Sequence, residues 1–209
     1  MAAPATTPLK PRKSPSQDRA RETVEAILEA TARILVKHGY AGTNTNLIAE
    51  RAGISVGSLY QYFPNKESLI AALNVRHAER IHERIEQQMR ALGKKPLRES
   101  IAAVVHEVVA VHLENPELER MLETELRYFD APLGEDDEHK TILEMSRRFL
   151  DAHKREIRRR DLDLATLVVM KMIESLVHAL LFHYPGPATA AQREQAVCDA
   201  VLGYLTYRD

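Results

Sequence analysis

The sequence predicts an all-α protein of about nine helices, with an N-terminal helix-turn-helix domain followed by a C-terminal helical domain. Two observations predict it. Between Thr43 and Lys66 two short helical patterns meet across a glycine-containing corner. From Pro96 onward, apolar runs are punctuated by good helix caps. The chain has 209 residues, 44% of them hydrophobic, which is enough for a buried core. Its single cysteine excludes an internal disulfide framework, and no apolar run of the signal-peptide kind opens the chain, so a cytoplasmic protein is expected.

Residues 1–17 are rich in Ala, Pro, Thr and Ser and cannot bury enough apolar surface to order themselves, so a disordered basic arm is expected there. Lys10, Arg12 and Lys13 suit a segment that lies along DNA, while the composition by itself better suits a solubilising tail. Residues 18–65 form the expected helix-turn-helix domain and 66–209 the second domain. The first helix runs from Asp18 to about His38, with Val24, Ile27, Leu28, Thr31, Ile34 and Leu35 as one stripe.

The next helix, Thr45 to Ala52, turns Leu47, Ile48 and Ala52 to one face and is stopped by Gly53. Ser55 then caps a third helix through Tyr62, anchored inward by Leu59 and Phe63 at i and i+4. Its remaining residues, Val56, Gly57, Ser58, Tyr60, Gln61 and Tyr62, carry no charge. Small residues at a helix start permit close entry into a major groove, hydroxyls donate to phosphates, and Gln matches the paired donor and acceptor of adenine. Pro64 ends the helix and Asn65 caps a long fourth one, from Lys66 to about Ala91, closed by Gly93.

The stretch ILEATARILVKHGYAGTNTNLIAERAGISVGSLYQYFPNKESLIAAL resembles the DNA-binding domain of TetR-family, tetracycline-repressor-like, transcriptional regulators. The resemblance rests on the Gly39-Tyr40 turn, Ile48-Ala49, Ala52-Gly53, Leu59-Tyr60, Phe63 and Lys66. It implies that Thr43, Ser58, Tyr60, Tyr62 and Lys66 hold phosphates, with Thr45 in the same DNA-binding set, and that Val56, Gly57 and Gln61 face bases. It further implies a homodimer on a palindromic double-stranded DNA operator and a small, mostly apolar effector among the helices from Pro96 to Tyr184. Met121, Glu125, Phe129, Phe149, Met170, His178 and Phe182 are the candidate lining, although such Met and Phe residues also serve as plain core.

Charge is divided in support of that picture. Residues 1–76 hold ten Lys and Arg against six Asp and Glu, whereas 77–209 hold nineteen against twenty-four. The positive field therefore sits on the helix-turn-helix side.

Further along, Pro96 and Asn115-Pro116-Glu117 read as helix starts. A helix from Glu135-Asp136-Asp137-Glu138 to Arg158-Arg159-Arg160 is expected, acidic at its start and basic at its end. From Leu164 to Phe182 fourteen of nineteen residues are apolar on all sides, which asks for cover on more than one face. Lys171 and Glu174 near the centre argue against a membrane span, since each charge there costs about 3 kcal/mol. A partner subunit is the expected cover. Thr189 and Gln192 are spaced as a capping box for the last helix, and Ala196, Ala200 and Gly203 line up as a strip of small residues. With Leu176 and Leu180 they form the expected dimer interface, two helices from each chain making a four-helix bundle.

No phosphate loop, dinucleotide fingerprint or nucleophile elbow is present, and His77/His82 and His178/His183 are five apart rather than four as zinc ligands on one face would be. No enzyme, cofactor or metal is expected. Two alternatives remain at this stage: a TetR-like protein controlled by a protein partner, and a helical ligand-binding or catalytic protein with a vestigial DNA-binding head.

Overall fold

A computed structural model describes residues 18–126, 137–184 and 186–207. The arm expected over residues 1–17 lies outside them, as do Phe129 and the acidic residues Glu135 and Asp136. The described residues form nine α-helices: α1 (Asp18–Gly42), α2 (Thr45–Ala52), α3 (Val56–Tyr62), α4 (Lys66–Leu92), α5 (Leu97–Glu114), α6 (Pro116–Leu126), α7 (Asp137–Ala152), α8 (Leu162–His178) and α9 (Ala190–Thr206). They fall into two units, one of residues 18–78 with 115–126 and the other of 79–114 with 137–207.

In the first unit the regular part of α1 breaks at Gly39, whose φ of 65° is the left-handed conformation that glycine adopts without a Cβ penalty. Ile27, Leu35, Ile48, Leu59, Leu69, Ile70 and Leu73 are completely buried. α6 joins this core through Leu118 and Leu122, at 6% and 3% exposure. Burial of each contributes about 2 kcal/mol. The helix begins where Asn115 accepts from the Leu118 N–H at 3.2 Å, and Pro116 has no N–H to satisfy at its first position. The grouping therefore differs from a division at residue 66. The first unit takes the opening turns of α4 and recruits α6 from a later part of the chain, because α6 offers α1 an apolar face.

In the second unit α5, α8 and α9 share a core of Ile101, Val105, Ala165, Val169, Val177, Val197, Val201 and Leu205, with α7 laid against α8. Asp161 caps α8 by accepting from Asp163 N and Leu164 N. The last turn of that rod, Ala179–His183, opens into a π-helix. The capping box of α9 is present: Gln192 N donates to Thr189 Oγ1 at 3.2 Å and Thr189 N to Gln192 Oε1 at 2.8 Å.

α7 is shorter than the charge pattern suggests. It stops at Ala152, so Arg158, Arg159 and Arg160 do not terminate it. The chain turns through 153–156, where Glu156 reaches α5 and both its carboxylate oxygens accept the Leu97 N–H at 3.1 Å. Ile157 is then buried, and the chain runs on to α8 without helix or strand. Arg159 does cap a helix, but a different one. Its Nε donates to Tyr204 O at 2.6 Å near the end of α9 and its guanidinium stacks 4.7 Å from the Tyr204 ring centroid.

Leu162–His183 is long and apolar enough to cross a membrane by length and composition, with 28% of its most apolar window buried. Leu164 and Leu167 stand 55% and 45% exposed on it.

Candidate nucleic-acid interface and effector cavity

The corner between α2 and α3 is built by backbone chemistry the sequence dictates. Asn44 opens α2 by accepting from Leu47 N at 3.0 Å. Gly53 closes it at φ 69°, donating its N–H to the α2 carbonyls. Ser55 Oγ accepts from Ser58 N at 3.0 Å and so starts α3 within two residues of that cap. Leu59 and Phe63, 0% and 1% exposed, fasten α3 to the core. The opposite face is left outward.

That outward face holds Gly57, Tyr60 and Gln61, all exposed, with Val56, Ser58 and Tyr62 half-buried beside them. Thr45 Oγ1 and Tyr60 Oη are 3.1 Å apart, and Ser55 Oγ and Ser58 Oγ 2.8 Å apart. Each pair of hydroxyls holds two protons and uses one between them, which leaves one O–H per pair to donate to a phosphate oxygen. Gly57 has no internal reason to be glycine. A Cβ built there meets only Ser55 Oγ, at an ordinary 3.8 Å. Glycine in a helix costs roughly 0.5–1 kcal/mol relative to alanine, and no contact within the protein requires it here.

Two of the expected phosphate ligands are placed differently. Thr43 is 2% exposed, its hydroxyl donating to Gly39 O at 2.7 Å and its N–H to Tyr40 O at 3.2 Å. It secures the α1–α2 corner and is withdrawn from the surface. Lys66 is half-buried, donates to Tyr40 O at 3.0 Å and lies 3.7 Å from the Tyr40 ring centroid. Its charge is thus fixed at the start of α4, whose cap is Asn65, accepting from Ser68 N at 2.7 Å.

The second unit contains a narrow cavity of about 40 Å³ lined by Met89, Ile101, Val104, Ser146, Phe149, Leu150, Thr166, Val169, Met170 and Ile173. Its accessible surface is apolar throughout, and the Thr166 hydroxyl is turned to Leu162 O at 2.7 Å. Of the expected effector residues, Phe149 and Met170 line it. Met121 packs instead with the core of the first unit, and His178 and Phe182 meet edge to face with ring centroids 5.8 Å apart. Phe129 and the Glu125 side chain lie outside the described residues. The other lining residues escaped sequence reading because a cavity wall and a packed core have the same apolar periodicity.

On α9 Ala196 and Gly203 are exposed and Ala200 half-buried, with nothing within 4 Å of a Cβ built on Gly203. Leu176 and Leu180 are half-buried against the core, and the open apolar positions of α8 are Leu164 and Leu167, which the small-residue pattern did not single out. Burial pushes the Cys198 thiol up to about 11, with Glu194 and Asp199 adding to the shift.

A short, uncharged, outward helix held at a fixed corner by caps and two apolar anchors defines a helix-turn-helix transcriptional regulator. Residues 27–73 match the family model for bacterial regulatory proteins of the tetR family, and residues 96–205 match the tetracyclin repressor-like C-terminal domain. The chain belongs to the TetR family. It is 30% identical over 116 residues to the HTH-type transcriptional repressor KstR of Rhodococcus jostii, covering 56% of this chain and 53% of that one. To KstR of Mycolicibacterium smegmatis it is 40% identical over 73 residues, 35% of this chain and 36% of that one. The chain thus matches about half or less of the length of these relatives. A crystal structure of a TetR family transcription regulator from Marinobacter aquaeolei superposes with a TM-score of 0.62 at 25% identity, covering 91% of this chain and 98% of the other. The family is one of transcriptional regulators.

Proposed function

We propose that the protein is a cytoplasmic, homodimeric repressor that binds a near-palindromic operator in double-stranded DNA and leaves it when a small, largely apolar effector binds. The observation that carries the DNA reading is the outer face of α3, where Gly57 and Gln61 are open and hydroxyls of Ser58 and Tyr60 sit beside them. Val56, Gly57 and Gln61 meet base edges; Thr45, Ser58, Tyr60 and Tyr62 meet phosphates. Lys66 acts through its field at the α4 start rather than as a reaching side chain. Two such helices in a dimer read half-sites centred ~34 Å apart.

Dimerisation is supported by the exposed Leu164 and Leu167 on α8 and the small-residue strip of α9, which a second copy would cover as a four-helix bundle. An apolar effector is supported by the cavity between Phe149 and Met170. At about 40 Å³ it is far smaller than the ~150 Å³ cavity that admits benzene, so an effector must displace Met89, Phe149 or Met170 to enter. By linkage, whatever free energy the opened form withholds from DNA is the factor by which effector and DNA weaken each other. The small cavity favours, as a second reading, a regulator governed by a protein partner.

The experiment is fluorescence anisotropy on duplex fragments from around the protein's own gene, with wild type, Tyr60→Ala and Gln61→Ala across a salt series. One fragment should bind tightly, Tyr60→Ala should weaken all fragments alike, and Gln61→Ala should narrow the gap between them. Equal, weak binding untouched by both changes would remove α3 as the reading helix.

A further inference from the structure

The described residues of the second unit hold sixteen Lys and Arg against sixteen Asp and Glu, yet one end of it is crowded with unpaired cations. The turn between α4 and α5 and the segment between α7 and α8 pack together there: His153 Nε2 lies 3.1 Å from Lys95 O, and Glu156 binds the Leu97 N–H. The segment is tied in turn to the end of α9, where Arg158 N donates to Leu205 O at 2.8 Å and Arg159 to Tyr204 O at 2.6 Å. Ile157 is buried and Arg159 turns onto Tyr204, while Arg158 and Arg160 on either side of it are exposed.

Around these two stand Lys94, Lys95, Arg98 and Arg155, all exposed, and none of the six has an ion-pair partner among the described residues. Of the nearby carboxylates Glu99 is exposed beside Arg98, and four others are committed elsewhere. Glu156 caps α5, Asp161 caps α8, and Asp151 and Asp163 hold Arg147 and Lys154. Unscreened cations held at one place raise their own repulsion, which a polyanion relieves by releasing its counterions.

We propose that this end of the second unit binds the phosphate backbone of a second DNA duplex, independently of α3. The surface is sequence-blind: it presents guanidinium and ammonium groups at a spacing fixed by backbone hydrogen bonds, with no amide or hydroxyl among the six to read a base edge. It makes the protein a bridge between two DNA segments.

The test mixes full-length protein with donor-labelled and acceptor-labelled random duplexes of about 30 base pairs, three helical turns. Wild type should bring the labels together and give energy transfer. Arg155→Gln, Arg158→Gln and Arg160→Gln in one chain should cut that transfer about tenfold, through loss of three phosphate contacts, while anisotropy on a single duplex stays within about twofold. Should the triple variant misfold, Lys94→Gln with Lys95→Gln and Arg98→Gln tests the facing turn. No transfer with wild type, or transfer that survives both variants, overturns the proposal. So does Arg-dependent binding to phosphatidylserine vesicles or polyglutamate in the absence of transfer, which would assign the surface to a membrane or an acidic protein. A failure of Tyr60→Ala to weaken single-duplex binding touches α3 alone.

Discussion

Replacing Gly57 by alanine should move stability and DNA binding in opposite directions. A methyl at Gly57 meets only Ser55 Oγ at 3.8 Å, so nothing inside the protein resists it. Alanine removes the entropic penalty of glycine, and since Gly57 lies in the first turn of a seven-residue helix the gain is about 0.5 kcal/mol, at the low end of the usual range. In a chain of this size that raises the melting temperature by about 1–2 °C. If α3 enters the major groove on this face, the same methyl overlaps the DNA. Overfilling a close-packed contact costs about 1–3 kcal/mol, or about a fivefold to 150-fold loss of affinity. Differential scanning fluorimetry reads the first effect, anisotropy on the bound fragment the second. Unchanged or tighter binding by a stabilised Gly57→Ala protein would refute the assignment of this face to DNA. A destabilised protein would refute the claim that the glycine is unconstrained from within.

Other consequences are independent of that one. Lys66→Met should cost about 1–2 kcal/mol in denaturant unfolding by removing the bond to Tyr40 O and the contact with the Tyr40 ring; no cost would mean the lysine is not held. Arg159→Met should destabilise by about 1–3 kcal/mol and increase hydrogen exchange at the end of α9, since it strips a charged donor from Tyr204 O. Well below pH 9 the Cys198 thiol is protonated in folded and unfolded chains alike. From pH 9 towards 11 the unfolded chain ionises first, so wild type should lose stability over that interval relative to Cys198→Ala, and parallel curves would contradict the raised thiol.

Much of the head was legible because its signals are local. Ser55, Asn65 and Asn115 cap helices within three residues of themselves, and Gly39 and Gly53 take positive φ where a chain must turn. Leu59 and Phe63 bury as their spacing requires. What eluded the sequence depends on partners far along the chain. Thr43 has the residue type of a phosphate ligand, but its orientation is decided by a bond to Gly39 O at the broken end of α1. The arginine run looked like the end of α7 because charge at a helix terminus is common. The distant Leu97 N–H draws Glu156 away, and Tyr204 O takes Arg159. The cavity lies among the α5, α7 and α8 stripes, and no stripe records how fully it is filled.

The recruitment of α6 into the first unit bears on how the protein is made. A ribosome releases residues in order, so the DNA-reading head emerges without Leu118 and Leu122 and must wait for them. Between Ala78 and Leu126 lie 48 residues, which at translation rates of 5–20 residues per second delay completion by about 2–10 s. All of α5 is synthesised within that interval, while the apolar side of α1 still lacks its cover. The nascent chain is therefore exposed to chaperones and proteases at the α1 face, and a fragment ending at residue 78 keeps that face permanently bare.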